Sequence, residues 1–290
     1  MSRTKNEHYV PQSYLARFTD DGEHLYVYDK STKRKFRSHI RNIAAENLFY
    51  DQPNKPTQYL EKTFANTVDQ LYPQLVDSLL ETVVDKGLSI TKSQKELLAL
   101  YLALQSTRTR WYRNLIIKTL KTLETAFQDL ATHSRKKNTE LKPSGLLKQI
   151  LTQDTEELAK SEHIASIVDS KTINQRIMIF MRHIWVFGIN QTMIPFYASD
   201  NPVAVWAHKQ DTTRSFSGFR SEGIEIAFPL TSSYILSLFE RTYHSQLIPL
   251  DGKSIFLPDS NLVNHLNSMQ VVNSHRWIYS AQKGFNIIEE

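Results

Sequence analysis

Residues 223–239 read Gly-Ile-Glu-Ile-Ala-Phe-Pro-Leu-Thr-Ser-Ser-Tyr-Ile-Leu-Ser-Leu-Phe. Two short apolar runs, Gly223–Phe228 and Tyr234–Phe239, are separated by a stretch rich in Pro, Thr and Ser, the pattern of strands and their connection. The same texture extends in both directions. Trp185–Asn190, Phe196–Ala198, Pro202–Ala207 and Trp277–Ala281 are further candidate strands, and about Asp259–Asn273 reads as one intervening helix. The alternation of apolar and polar residues predicts an antiparallel sheet from about 184 to 290.

Upstream of Ile184 the apolar spacing is helical. One helix is predicted from about Thr57 to Val84, with Gly87 as its stop. The next opens on Ser93 and Glu96, which have the spacing of a capping box. It carries Leu97, Leu98, Tyr101 and Leu104 and continues past Ala131. His133–Ser144 is polar and reads as a loop, followed by helices near 145–160 and 170–183. At the other end, Pro11 suits the start of a short helix whose Tyr14, Leu15 and Phe18 dock on the core. Residues 23–39 form a β-hairpin that turns at Asp29-Lys-Ser-Thr-Lys. Asn42–Tyr50 is short helical or irregular, and Asp51–Pro56 is a loop. The expectation is an α+β fold in which an N-terminal hairpin and a central helical bundle pack with a C-terminal, mainly antiparallel sheet. One integrated domain is predicted over residues 1–290, with a helical middle at about 57–183 and a β-rich end at about 184–290.

The bulk numbers agree. The chain has 290 residues, 40% of them hydrophobic, enough for a large core. It has no cysteine, so disulfides and thiolate metal sites are excluded. No apolar run reaches the roughly 18 residues of a membrane span, and the N-terminus lacks a leader's apolar core. These features predict a soluble, cytoplasmic protein. The net charge of +5 leans toward polyanionic partners.

Arg108 is the most informative position. At 100° per residue it falls among Leu97, Tyr101, Leu104, Tyr112 and Leu115, with Gln105 beside it, Arg113 at the stripe's edge and Arg110 pointing away. A guanidinium on a buried face keeps its proton and needs an anion. That anion is either a carboxylate of the chain, Asp200 being a natural partner, or a phosphate or carboxylate of a ligand. Ser199-Asp-Asn-Pro is the second focus. It reads as a tight turn with Asp200 or Asn201 capping backbone amides, or as a strand-end carboxylate that binds metal or acts as a base. His8 precedes an extended Val-Pro step and is either a packed histidine, or a general base or metal ligand. Gln12 follows one turn later. Lys33, Arg34, Lys35 and Arg37 make the hairpin basic, as a phosphate-tracking surface or as a solvated edge that resists association.

Several motifs are missing. There is no P-loop, no dinucleotide-binding glycine pattern, no His-Glu-x-x-His and no Gly-x-Ser-x-Gly. The ten histidines are scattered with no pair at ligand spacing, which argues against a zinc site. Magnesium or manganese held by carboxylates needs no local motif and stays open.

His8-Tyr-Val-Pro-Gln, Asn47-Leu-Phe-Tyr, Gln105 with Arg108-Thr and Arg113, Ser199-Asp-Asn-Pro-Val, Phe228-Pro-Leu, and Asn273 with Tyr279-Ser occur in this order. In this the chain resembles the bacterial domain of unknown function 4238 family over nearly its whole length. Where that family usually continues Arg-Thr-Pro, this chain has Arg108-Thr-Arg110. The resemblance implies a fold and a set of marked positions but no reaction. It also suggests that Glu46, Asn47 and Tyr50 join His8 in one polar cluster.

Three readings follow. The first is a metal-assisted nuclease or phosphodiester or nucleotide hydrolase of a phage-defence type, with His8 and Asp200 as catalytic residues. The second is a non-catalytic module that binds nucleic acid, a nucleotide or another anionic ligand through Gln12, Asn47, Tyr50, Gln105, Arg108, Arg113 and Asn201. The third is a buried structural network.

Overall fold

The computed structural model describes residues 6–52, 55–56, 58–136, 142–209, 211, 215 and 217–289. The leader reading at residues 1–5, the predicted helix start at Thr57, and parts of the 51–56 and 133–144 loops lie outside the described residues. The chain opens with β1 (Asn6–His8) and the short α1 (Gln12–Leu15). Tyr14, Leu15 and Phe18 are fully buried, as their spacing predicts. The hairpin forms from β2 (His24–Asp29) and β3 (Arg34–His39). The stretch read as helical or irregular contains β4 (Ala45–Asn47), which pairs antiparallel with β1.

The helical middle comprises α2 (Tyr59–Asn66), α3 (Val68–Leu80), α4 (Lys92–Thr107), α5 (Arg110–Lys136), α6 (Leu146–Thr152), α7 (Thr155–Val168) and α8 (Ser170–Arg182). Pro73 lies inside α3 and cannot donate to the Asp69 carbonyl four residues back. The Ser13 hydroxyl donates to that carbonyl instead, at 2.8 Å, and ties α1 to α3. The capping box of α4 is two residues earlier than predicted. Thr91 accepts from the Gln94 amide, and the Gln94 side chain accepts from Thr91 in return.

The predicted continuous helix past Ala131 is broken at Arg108–Thr109, and this corrects the single stripe drawn through it. Leu97 and Leu115, assigned to the buried direction, are 48% and 42% exposed. Arg108 is nevertheless buried, because it caps the end of α4 at the break.

The C-terminal strands divide between two sheets rather than forming one. β5 (Ile184–Asn190), β7 (Ala204–Ala207), β8 (Ile224–Pro229), β9 (Tyr234–Phe239) and β10 (Lys253–Leu257) form a sheet in the order β10-β5-β9-β8-β7. Its β10–β5 pair is parallel. β6 (Ala198–Ser199) and β11 (Trp277–Ser280) join the N-terminal hairpin in the order β3-β2-β11-β6. Helix α9 (Ser260–Asn273) lies between them in sequence, and α10 (Asn286–Glu289) closes the described chain. The fold is α+β.

Strand alternation sets the two faces of the larger sheet. Ile224, Ile226, Phe228, Leu236 and Leu238 face the main core with α1, α3, α4 and α8. Ala204, Ala227 and Ile235 face α9 through Val263, Leu266 and Met269. Among the described residues, no helix is long and apolar enough to cross a membrane.

Candidate functional site

The Arg108 side chain is 1% exposed and forks onto Asp69, with Nη1 2.8 Å from Oδ1 and Nη2 3.3 Å from Oδ2. Nη2 also donates to the His8 carbonyl at 3.1 Å, and the guanidinium lies 4.3 Å from the centroid of the Phe64 ring. The anion is a carboxylate of the chain, but Asp69 rather than Asp200. Burial works against the guanidinium's charge, but Asp69 outweighs it and lifts the pKa above its ordinary value. Tyr50 donates its hydroxyl to the Arg108 carbonyl at 2.6 Å, satisfying the backbone at the break.

Around this pair the structure gathers His8, Tyr50 and Gln105 with Glu7 and Glu61. The His8 amide donates to Glu61 at 3.1 Å, and the Gln105 amide donates to the Tyr9 carbonyl at 3.0 Å. Glu7 is fully buried and accepts from the Tyr50 amide; burial pushes its pKa up to about 7. Five buried polar atoms here have no hydrogen-bond partner among the described residues: Glu7 Oε1, His8 Nε2, Glu61 Oε2, Gln105 Oε1 and Arg108 Nε.

Arg113 is also buried. Its Nε donates to His163 Nδ1 at 3.1 Å, Nη2 donates to the Phe49 carbonyl at 2.7 Å, and the guanidinium lies 3.7 Å from the centroid of the Phe49 ring. Burial lowers the Arg113 pKa to about 10. Burial first, then the Arg113 charge, lowers that of His163 to about 3. His163 is therefore neutral, with Nε2–H donating to the Thr107 carbonyl at 2.7 Å.

Asp200 and Asn201 make no hydrogen bond to the His8 or Arg108 side chains among the described residues, although Asn201 meets Thr109 beside Arg108. Asp200 is fully buried and accepts from the backbone amides of His275, Arg276 and Trp277 at 2.8, 2.7 and 2.9 Å. Burial raises its pKa to about 6 against these three bonds. Asn201 donates to the Asn273 carbonyl at 3.0 Å and accepts from the Thr109 hydroxyl at 3.3 Å. Asn273 in turn brackets β7 by accepting from the Val205 amide and donating to its carbonyl.

Of the remaining sequence candidates, Gln12 and Asn47 are exposed. Lys33, Arg34, Lys35 and Arg37 are exposed on the hairpin, where Arg37 pairs with Asp20 and Asp21.

The sequence reading missed a groove of about 460 Å³ beside Asn201 and Asn273. Trp111, Tyr112 and Phe219 supply aromatic walls, and Arg176 and Arg220 supply charge. Arg176 donates to the Ser106 hydroxyl at 3.1 Å, with its guanidinium 5.0 Å from the centroid of Tyr112 and 5.6 Å from that of Phe219. Among the described residues no carboxylate pairs with either arginine. Arg176 follows from α8 geometry rather than from any local motif, so nothing in the linear sequence singled it out.

No two histidines stand at local ligand spacing in the sequence, but two of them converge in space. On the α9 side of the larger sheet, His208 Nε2 and His265 Nε2 approach the same Glu225 oxygen, at 2.7 and 3.2 Å. The carboxylate is almost wholly buried, and the two histidines close over it from the end of β7 and from α9. Residues 17 and 40 positions from Glu225 carry no local signature.

No curated protein and no solved structure matches the chain. Residues 6–284 match the family described as "Protein of unknown function (DUF4238)". That match covers the hairpin, the helical middle and both sheets, and with it the chain belongs to the DUF4238 family.

Proposed function

We propose that the chain binds a small anionic ligand with a planar part, of the nucleotide class, in the groove between α5, α8 and residues 217–220. The observation that carries this reading is Arg176. It lies between two aromatic rings on a groove wall, and no carboxylate neutralises it among the described residues. An arginine so placed offers paired N–H donors to a phosphate or carboxylate. Trp111, Tyr112 and Phe219 offer faces on which a base can stack. Asn201 and Asn273, both among the residues that carry the family resemblance, line the same groove.

The second reading is a metal-assisted nuclease or nucleotide hydrolase of a defence type. The net charge of +5 and the exposed basic hairpin favour it. Its candidate base Asp200 is committed to three backbone amides, and His8 lies within a buried cluster, so the geometry favours binding over turnover at those residues.

The test is calorimetric titration of ATP, GTP and their monophosphates into wild type and Arg176→Ala, with product analysis after incubation with Mg²⁺ or Mn²⁺. Saturable binding to wild type, weakened at least tenfold in Arg176→Ala and without turnover, is the expected result. Products in the presence of metal would favour the hydrolase. Absence of binding by every nucleotide would sink the proposal.

A further inference from the structure

Glu225 is an acid in the middle of a sheet, 4% exposed, and its strand neighbours Ile224, Ile226, Ala227 and Phe228 are apolar and buried. A carboxylate in such a place must be paired. Its partners are two histidines, each presenting Nε2 to the same oxygen. The three donor atoms all lie within 4.8 Å of one another. Around a divalent ion with bonds of about 2.1 Å, tetrahedral ligands stand about 3.4 Å apart. The arrangement therefore needs only small side-chain rotations to surround an ion.

The backbone fixes this convergence. Glu225 opposes Trp206 across the β8–β7 pair, so the two side chains share a face. His208 lies two residues beyond Trp206 and falls on that face as well. His265 reaches down from α9 and sets its ring 5.4 Å from that of Trp206, edge to face. The cluster thus draws on a strand, a strand end and a helix of the packed core, a frame that holds ligand geometry better than a loop.

A second, independent feature lies beside it. His244 is 6% exposed and packs its ring 5.1 Å from that of His208, edge to face. Its Nε2 is buried and has no hydrogen-bond partner among the described residues. A polar atom left unpaired at such depth costs free energy unless something else meets it. His208 and His265 are about one-third exposed in their side chains, so the cluster is open to solvent on one side while its carboxylate is not.

We infer that His208, Glu225 and His265 form a binding site for a first-row divalent transition metal ion, Zn²⁺ being the ion to test. Two imidazoles and one carboxylate suit zinc and its neighbours better than Mg²⁺ or Ca²⁺, which take all-oxygen ligand sets. Three protein ligands leave a coordination position open toward the exposed side, the pattern of a reactive rather than a purely structural centre. The site lies on the opposite face of β7 and β8 from Val205, which lines the groove, so it does not depend on the ligand proposed for the groove.

The experiment uses the full chain, stripped with EDTA and dialysed into chelator-free buffer. Zn²⁺ is titrated calorimetrically, and Co²⁺ is followed by visible absorption and by quenching of Trp206 fluorescence. The expected result is one ion per chain, with affinity lowered at least tenfold in His208→Ala and again in His265→Ala. Both side chains are partly exposed, so these variants should retain the fold, which circular dichroism checks. A Trp206→Phe variant should lose most of the Co²⁺ quenching while keeping the stoichiometry. No stoichiometric Zn²⁺ binding by wild type, or undiminished binding by a folded His208→Ala/His265→Ala double variant, would overturn the assignment. Arg176→Ala should bind Zn²⁺ as wild type does, which separates failure of the groove from failure of the metal site.

Discussion

Arg108 and Asp69 meet as a two-pronged ion pair, Nη1 to Oδ1 at 2.8 Å and Nη2 to Oδ2 at 3.3 Å, across the contact between the end of α4 and the first turn of α3. Both charges come from helix faces that otherwise bury apolar side chains. Removing one partner leaves the other uncompensated. Arg108→Ala and Asp69→Ala should each lower unfolding free energy by about 3–5 kcal/mol, the usual cost of breaking a buried pair. The double variant should lose clearly less than the sum of the two. Urea denaturation of the three variants measures this, and strictly additive losses would refute the coupling.

Asp200 binds three successive amides, those of His275, Arg276 and Trp277, where the chain leaves α9 and enters β11. In Asp200→Ala these part-buried donors lose their acceptor, at up to about 1–3 kcal/mol for each one that water does not reach. A loss of about 3 kcal/mol or more is expected, with faster amide hydrogen exchange at the start of β11. A variant within 1 kcal/mol of wild type, on the order of an ordinary surface substitution, would show that water replaces the carboxylate.

Glu7 takes up its proton at about pH 7 in the fold, against 4.5 for an ordinary glutamate. The folded state therefore binds more protons than the unfolded chain between these values, and the contribution of Glu7 to stability falls as pH rises through that window. It is fully present below 4.5 and gone above 7. Glu7→Gln is neutral at every pH and keeps an acceptor for the Tyr50 amide. Relative to wild type it should gain about 3 kcal/mol between pH 4.5 and 7. Parallel stability profiles for the two proteins would show that Glu7 is not held protonated.

The strands of 223–239 and the helix ending at Asn273 were legible because short apolar runs and the switch between strand and helix spacing are local signals. That Arg108 needs an anion was legible too. Its partner was as well, in hindsight: Asp69 occupies the same face of α3 as Tyr72, Val76 and Leu79, an acid in an apolar stripe to match the base in another. Asp200 comes to notice as a possible partner because a turn motif is conspicuous, whereas a single carboxylate in a helix is not. The split into two sheets was not legible. Nothing local distinguishes β11, which pairs with β2, from β8, which pairs with β7 and β9. The parallel β10 was missed because its five residues follow a proline-containing turn. The groove and the His208–Glu225–His265 cluster were hidden for a related reason, since their residues meet only through strand register and the placement of α8 and α9.

The β2–β11 pairing brings Asp29 and Arg276 together across 247 residues, Nε to Oδ1 at 2.9 Å. As the ribosome makes the chain, the hairpin emerges well before β11 (Trp277–Ser280), the strand that completes its sheet. Until then β2 has a partner on one side only, and the backbone groups of its other edge, Tyr26–Asp29, stay open to association. Contacts so far apart in sequence form slowly, and exposed edges of this kind recruit chaperones or aggregate. Translation speed and chaperone supply, alongside the stability of the finished fold, should therefore set how much of this protein a cell obtains.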